Sequence, residues 1–170
     1  MMQTSLRCAG DAKSLRIHAK EKLPITADSK IQLQVHGELD TGVGAPSWFA
    51  MIIRNFYPEL SASTGVGLQY DKNEKLKYCV HGKKAFPLSS NGLLSFNIKG
   101  RYVADKEFKQ GKAAGAAELS WSIINFQRDQ DIRLKIGYEV SDNVPYLQIK
   151  ENNWTLNADM KGKWNVRFDL

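Results

Sequence analysis

Leu15-Arg16-Ile17-His18-Ala19-Lys20 alternates an apolar side chain with a basic or imidazole one at every step. A period of two marks a β-strand with one apolar and one polar face. Leu76-Lys77-Tyr78, Phe96-Asn97-Ile98-Lys99 and Ile132-Arg133-Leu134-Lys135-Ile136 repeat the pattern, and Trp164-Asn165-Val166-Arg167-Phe168-Asp169-Leu170 closes the chain with it. At many strands the polar partner is Lys or Arg, which paints one face of a sheet with positive charge.

Turn signals separate these stretches at short intervals: Ala9-Gly10-Asp11, Ala27-Asp28-Ser29, Thr41 to Pro46, Tyr57-Pro58, Asp71-Lys72-Asn73, Ser89 to Gly92, Arg128-Asp129, Asp142-Asn143 and Asn152-Asn153. Strand after strand joined by Asn-Gly, Asp-x or Pro turns is an antiparallel meander. The expected strands lie near 3–9, 13–24, 30–41, 47–57, 60–71, 74–85, 93–104, 113–126, 130–141, 144–151 and 154–170. Asp105 to Ala114 breaks the rhythm and reads as the longest exposed loop or a frayed strand start, with a short helix as the alternative. The last stretch is ambiguous. Its even positions stay apolar or Gly from Trp154 to Leu170, which favours one long strand, yet Lys161-Gly162 is a turn signal. Single-chain barrels usually have an even number of strands, so about twelve are expected, in a single domain over 1–170.

The formal net charge is +6 and the pI near 9.3, which points to anionic partners: nucleic acid, anionic lipid or small phosphorylated molecules. Cys8 and Cys79 lie far apart, outside any metal-ligand spacing, and read as free thiols of a reducing compartment. The N-terminal segment lacks the apolar core of a secretory signal, and Asp11 and Glu21 oppose a cleavable transit peptide. No segment approaches the roughly 20 apolar residues of a membrane helix, an absence that is uninformative for a barrel.

Period-two alternation suits a soluble barrel or sandwich as well as a membrane barrel. Three features favour the membrane. The apolar face carries Tyr70, Tyr78, Tyr102, Trp121, Phe126, Tyr138, Trp154, Trp164 and Phe168 near strand ends, as interfacial girdles do. Many strands approach the roughly 9–11 residues that cross a bilayer at a tilt. The polar face is biased to one sign, whereas a solvated surface mixes signs.

By parity that face presents Arg7, Arg16, His18, Lys20, Lys75, Lys77, His81, Lys83, Lys99, Arg101, Arg133, Lys135, Lys150, Lys161, Lys163 and Arg167. Glu38, Glu118, Asp131, Glu139, Asp159 and Asp169 oppose them. Enclosed in a barrel, this excess makes an anion-attracting pore, because low-dielectric walls focus the field on the lumen. His18, His36 and His81 occur singly, without an acid and a nucleophile at recognisable spacing, so no enzyme activity is expected. Gly65-Val66-Gly67 lacks the helix and the third glycine of a dinucleotide fingerprint.

The strings Leu15 to Leu23, Arg54-Asn55-Phe56-Tyr57-Pro58, Asn125 to Leu134, Pro145 to Trp154 and Gly162 to Leu170 resemble the outer envelope pore protein 21 family of plastids. The likeness runs from Thr4 to the C-terminus and is loosest over 41–47 and 104–117. It implies a β-barrel of the chloroplast outer envelope, made without a cleaved transit peptide. It also implies anion-selective, rectifying conduction of triose phosphates, 3-phosphoglycerate, phosphate and nucleotides, modulated by ATP as a regulatory ligand. Phe108 and the lysines after it are a weak candidate for nucleotide contact. Membrane lipids and phosphorylated metabolites are the partners implied, with no nucleic acid and no resident cofactor. The alternative is a soluble basic β-barrel binding small anions or nucleic acid, and a lipocalin-like carrier with an apolar lumen is a third architecture.

Overall fold

The computed structural model describes residues 2–11, 14–72, 75–125 and 130–170. Its strands are β1 (Met2–Ala9), β2 (Arg16–Pro24), β3 (Ile31–Asp40), β4 (Ala45–Tyr57), β5 (Ala62–Asp71), β6 (Leu76–Pro87), β7 (Leu94–Asp105), β8 (Gly111–Asn125), β9 (Gln130–Glu139), β10 (Val144–Glu151), β11 (Trp154–Asp159) and β12 (Trp164–Asp169). Each pairs antiparallel with its neighbours in sequence, and β12 pairs with β1, so the twelve strands form a closed barrel. A three-residue 3-10 turn, Pro58–Leu60, joins β4 to β5. The expected turn at Asn73 and that at Arg128-Asp129, like Phe126, lie outside the described residues.

The strand count resolves the ambiguity at the C-terminus. Ala158 pairs with Trp164, and the Asp159 N–H donates to the Lys163 carbonyl at 2.9 Å, leaving a loop of 160–162 with Gly162 at φ +83°. A loop of odd length pairs even positions with even ones: Trp154 with Phe168 and Leu156 with Val166. The alternation therefore passes through the turn unbroken. Unbroken parity excludes a two-residue hairpin but not this one.

Asp105 to Ala114 is not the longest loop. Asp105 ends β7 and Gly111 begins β8, leaving 106–110 as the turn, shorter than 25–30 or 88–93. The Asp105 carboxylate organises it by accepting from the backbone N–H groups of Lys109 at 2.9 Å and Gln110 at 3.3 Å. Asp acting on the backbone a few residues on is a local turn device that hydrophobic periodicity does not register.

The distribution of side chains is inside out. Among the described residues, the buried polar ones are Ser5, His18, Gln34, Asn97, Glu118 and Thr155, whereas Val66, Val80, Ile98, Ile136 and Leu119 stand exposed on the outer wall. A contiguous apolar exterior around a polar interior suits a wall whose solvent is lipid. Aromatic residues gather at both rims of this wall. Phe49, Tyr70, Tyr102, Tyr138 and Trp164 lie near one set of strand ends, and Tyr57, Phe86, Phe96, Trp121, Trp154 and Phe168 near the other. The tryptophans and tyrosines among them, with an apolar body and a polar edge, are the rings that settle at the boundary between hydrocarbon and headgroups. Cys8 is exposed and Cys79 buried, and neither is in a disulfide.

Candidate functional site: the basic lumen

Register carries the basic residues into rows around the inner wall. Arg133 pairs with Lys150, Lys150 with Thr155, Thr155 with Arg167, Arg167 with Arg7, and Arg7 with Arg16. Five cations thus share one row across β9, β10, β12, β1 and β2. A second row runs Arg54, Gly65, His81, Arg101, Ala114, and the next along the strands runs Ser63, Lys83, Lys99, Ala116, Glu139. Ala114 and Ala116, small side chains in these rows, leave floor space where a larger one would stand.

These rows border two cavities. One, of about 690 Å³, lies toward the rim where β1 begins and is lined by Arg7, His18, Lys20, His36, Lys150 and Arg167 among others. The other, of about 540 Å³, is lined by Lys83, Lys99, Glu139 and Tyr146. Arg54, His81 and Arg101 border both. Within the first cavity the rings of His18, His36 and Trp48 lie 5.8–6.1 Å apart, a stiff aromatic patch in a charged wall.

Carboxylates neutralise part of the charge. Glu38 lies 3.8 Å from Arg7 and 3.6 Å from Arg16. Asp169 lies 2.6 Å from Arg167 and 3.9 Å from Lys150, and Asp131 3.2 Å from Arg133. Lys77 meets Asp71 at 3.7 Å, and Lys99 meets Glu118 at 2.6 Å. Among the described residues, Lys20, Arg54, Lys83, Arg101 and Lys135 form no such pair. These donors, with Lys112 on β8, are available to meet an anion, and each N–H donated to a phosphate oxygen is a charge-assisted hydrogen bond.

Three residues expected on the wall stand elsewhere. Lys75 precedes β6 in a turn, Lys161 sits in the β11–β12 loop and Lys163 immediately precedes β12, the last two at the rim. Both border a mouth cleft shared with Asp11, Asp142 and Asp159, and Lys161 donates to the Asp142 carbonyl at 3.3 Å. Parity assigns a face but not the point at which a strand ends. Conversely, Arg54 was not among the expected residues. It follows Trp48, Ala50 and Ile52 on the inner face of β4, and those apolar positions erase the alternation that exposed the other cations. Lys112, on β8 opposite Val103, falls in the stretch whose charge and small residues obscure the alternation. Tyr146 shares the parity of Lys150 and was open to the same reasoning.

Residues 4–170 match the family described as Chloroplast outer envelope pore protein OEP21. The chain is 57% identical over 169 residues to outer envelope pore protein 21A, chloroplastic, of Arabidopsis thaliana, covering 99% of this chain and 100% of that protein. It is 55% identical over 179 residues to outer envelope pore protein 21, chloroplastic, of Pisum sativum, and 46% over 187 residues to that of Oryza sativa subsp. indica, with the same coverage in both cases.

Proposed function

The chain belongs to the chloroplast outer envelope pore protein OEP21 family, and from that premise we propose that its lumen is an anion-selective passage for phosphorylated metabolites. A pore protein of the chloroplast outer envelope, built as a β-barrel, needs no catalytic constellation. It needs a wall that attracts its solute and lets it go. The observation that carries the proposal is the set of inward cations in no salt bridge, Lys20, Arg54, Lys83, Arg101, Lys112 and Lys135, spread over β2, β4, β6, β7, β8 and β9.

Spread matters as much as sign. One tight cluster would trap a phosphate, whereas separate donors at successive levels hand it on, each binding weakly enough for release. Triose phosphates, 3-phosphoglycerate and inorganic phosphate offer oxygens that accept from these donors, and ATP, with more charge, spans several donors at once and competes with them. Occupancy of shared donors is the way ATP modulates conduction in this reading. The exterior opposes a soluble anion carrier, because a wall exposing Val80, Ile98, Trp121 and Ile136 has no stable place in water.

The test is a planar-bilayer recording under a salt gradient. A reversal potential displaced toward that of the anion, and a current reduced by triose phosphate or ATP on the side of addition, are expected. A reversal potential at zero or toward the cation overturns the reading.

A further inference from the structure

Glu118 is 3% exposed, a carboxylate buried in a wall rich in cations. One oxygen, Oε1, receives two donors: the Lys99 ammonium at 2.6 Å and the Tyr146 hydroxyl. Tyr146 reaches it by lying across a glycine. Tyr146 is the register partner of Gly137 on one side, and Glu118 is its partner on the other, so the phenol spans β9 at a single level. A Cβ on Gly137 would come within 2.3 Å of the Tyr146 ring. The Lys99 ammonium also stands 5.8 Å from the centre of that ring. The carboxylate is thus held from two sides, and both of its donors line the 540 Å³ cleft. Lys83, the register partner of Lys99, lines the same cleft without a carboxylate of its own.

Resting on the reading of the lumen as an anion passage, we propose that Glu118 is a built-in counter-ion that occupies Lys99 when the cleft is empty and competes for it with the passing anion. A carboxylate oxygen and a phosphate oxygen take the same N–H donors. With Glu118 fixed in place, the level occupied by Lys83 and Lys99 offers a passing phosphate one free ammonium and one that must be shared. Binding there stays weak, which favours flux over retention. Glu118 is a specificity-determining residue of the pore, acting through Lys99.

Glu118→Gln keeps the acceptor for Tyr146 and removes the charge. In bilayer recordings it should displace the reversal potential further toward the anion and lower the half-saturating inorganic phosphate concentration roughly two- to fivefold, as expected for loss of one partly exposed ion pair. Glu118→Asp should retain wild-type selectivity. In a Lys99→Met background the further change in phosphate saturation caused by Glu118→Gln should shrink, leaving only what Glu118 does to Lys135, and a purely structural role does not predict that dependence. Glu118→Ser, also uncharged, gives the same direction where the amide variant does not assemble. An anion-selective wild type whose uncharged variants leave phosphate saturation unmoved, or move it equally without Lys99, overturns this inference alone. A wild-type barrel with no anion preference overturns the reading of the lumen, and this inference with it.

Discussion

Lys83 and Lys99 stand directly opposite each other across the β6–β7 ladder, two ammonium groups at one level of the inner wall. Like charges facing across a ladder are destabilising. Glu118, paired with Lys99, offsets part of this repulsion in the empty lumen, and a bound polyanion relieves more of it.

Stability should accordingly respond to ligand. A polyanion that binds only the folded barrel contributes roughly 2.7 kcal/mol at 100 times its dissociation constant. ATP is expected to raise the thermal midpoint of the detergent-solubilised protein more than triose phosphate does, and added chloride to weaken both effects by screening. Lys83→Met should raise the midpoint without ligand and reduce the increment due to ATP. Thermal melts at low and high salt check this, and a wild-type midpoint indifferent to ATP at low salt would count against a phosphate-binding lumen.

The two faces of β9 should tolerate opposite changes. Ile136 is 55% exposed and lies between Leu119 and Leu147 on the outer wall, whereas its neighbour Lys135 sits between Ser120 and Gln148 on the inner one. Ile136→Arg should cost roughly 2–4 kcal/mol of assembly into lipid near the bilayer midplane. Lys135→Leu should assemble and reduce the preference for anions. Folding yield in vesicles together with the reversal potential separates the two outcomes, and equal tolerance of both substitutions contradicts the face assignment.

The β11–β12 turn should depend on backbone freedom. Gly162 is held at φ +83°, and a Cβ there would meet nothing within 4 Å, so any cost of substitution is conformational and not steric crowding by neighbours. An L-residue in the left-handed region costs roughly 1–2 kcal/mol, and Asn tolerates it better than Ala. Denaturant midpoints should fall in the order Gly, Asn, Ala. An alanine variant as stable as the parent would mean the turn is not built this way.

What the sequence makes legible follows from what periodicity encodes. β2 and β9 declare themselves because Arg16, His18 and Lys20, or Arg133 and Lys135, alternate with apolar residues. β4 does not, since Trp48, Ala50 and Ile52 turn apolar groups inward and conceal Arg54. The β11–β12 hairpin is invisible to parity because its loop is odd. Register is a relation between strands, and alternation within a strand carries none of it beyond the choice of face. The alignment of Tyr146, Gly137 and Glu118, and the row of five cations, accordingly become apparent only from the pairing. Alternation is likewise common to soluble and lipid-facing sheets, and the exposed apolar exterior tells them apart.

The ladder between β1 and β12 joins Ser5 to Asp169, while every other ladder joins strands adjacent in the chain. It has five register pairs, against eleven between β7 and β8 on the far side. Local hairpins form cheaply, since little chain entropy is lost in bringing near residues together, but this pairing must gather nearly the whole polypeptide. Before it zips, the assembling sheet has two unpaired edges, the kind of template that recruits other strands. One of the two shortest ladders, level with that of β11 and β12, thus carries the largest entropic burden, so the seam should be the slow step of assembly and the place where a half-built barrel is most open to pairing with the wrong partner.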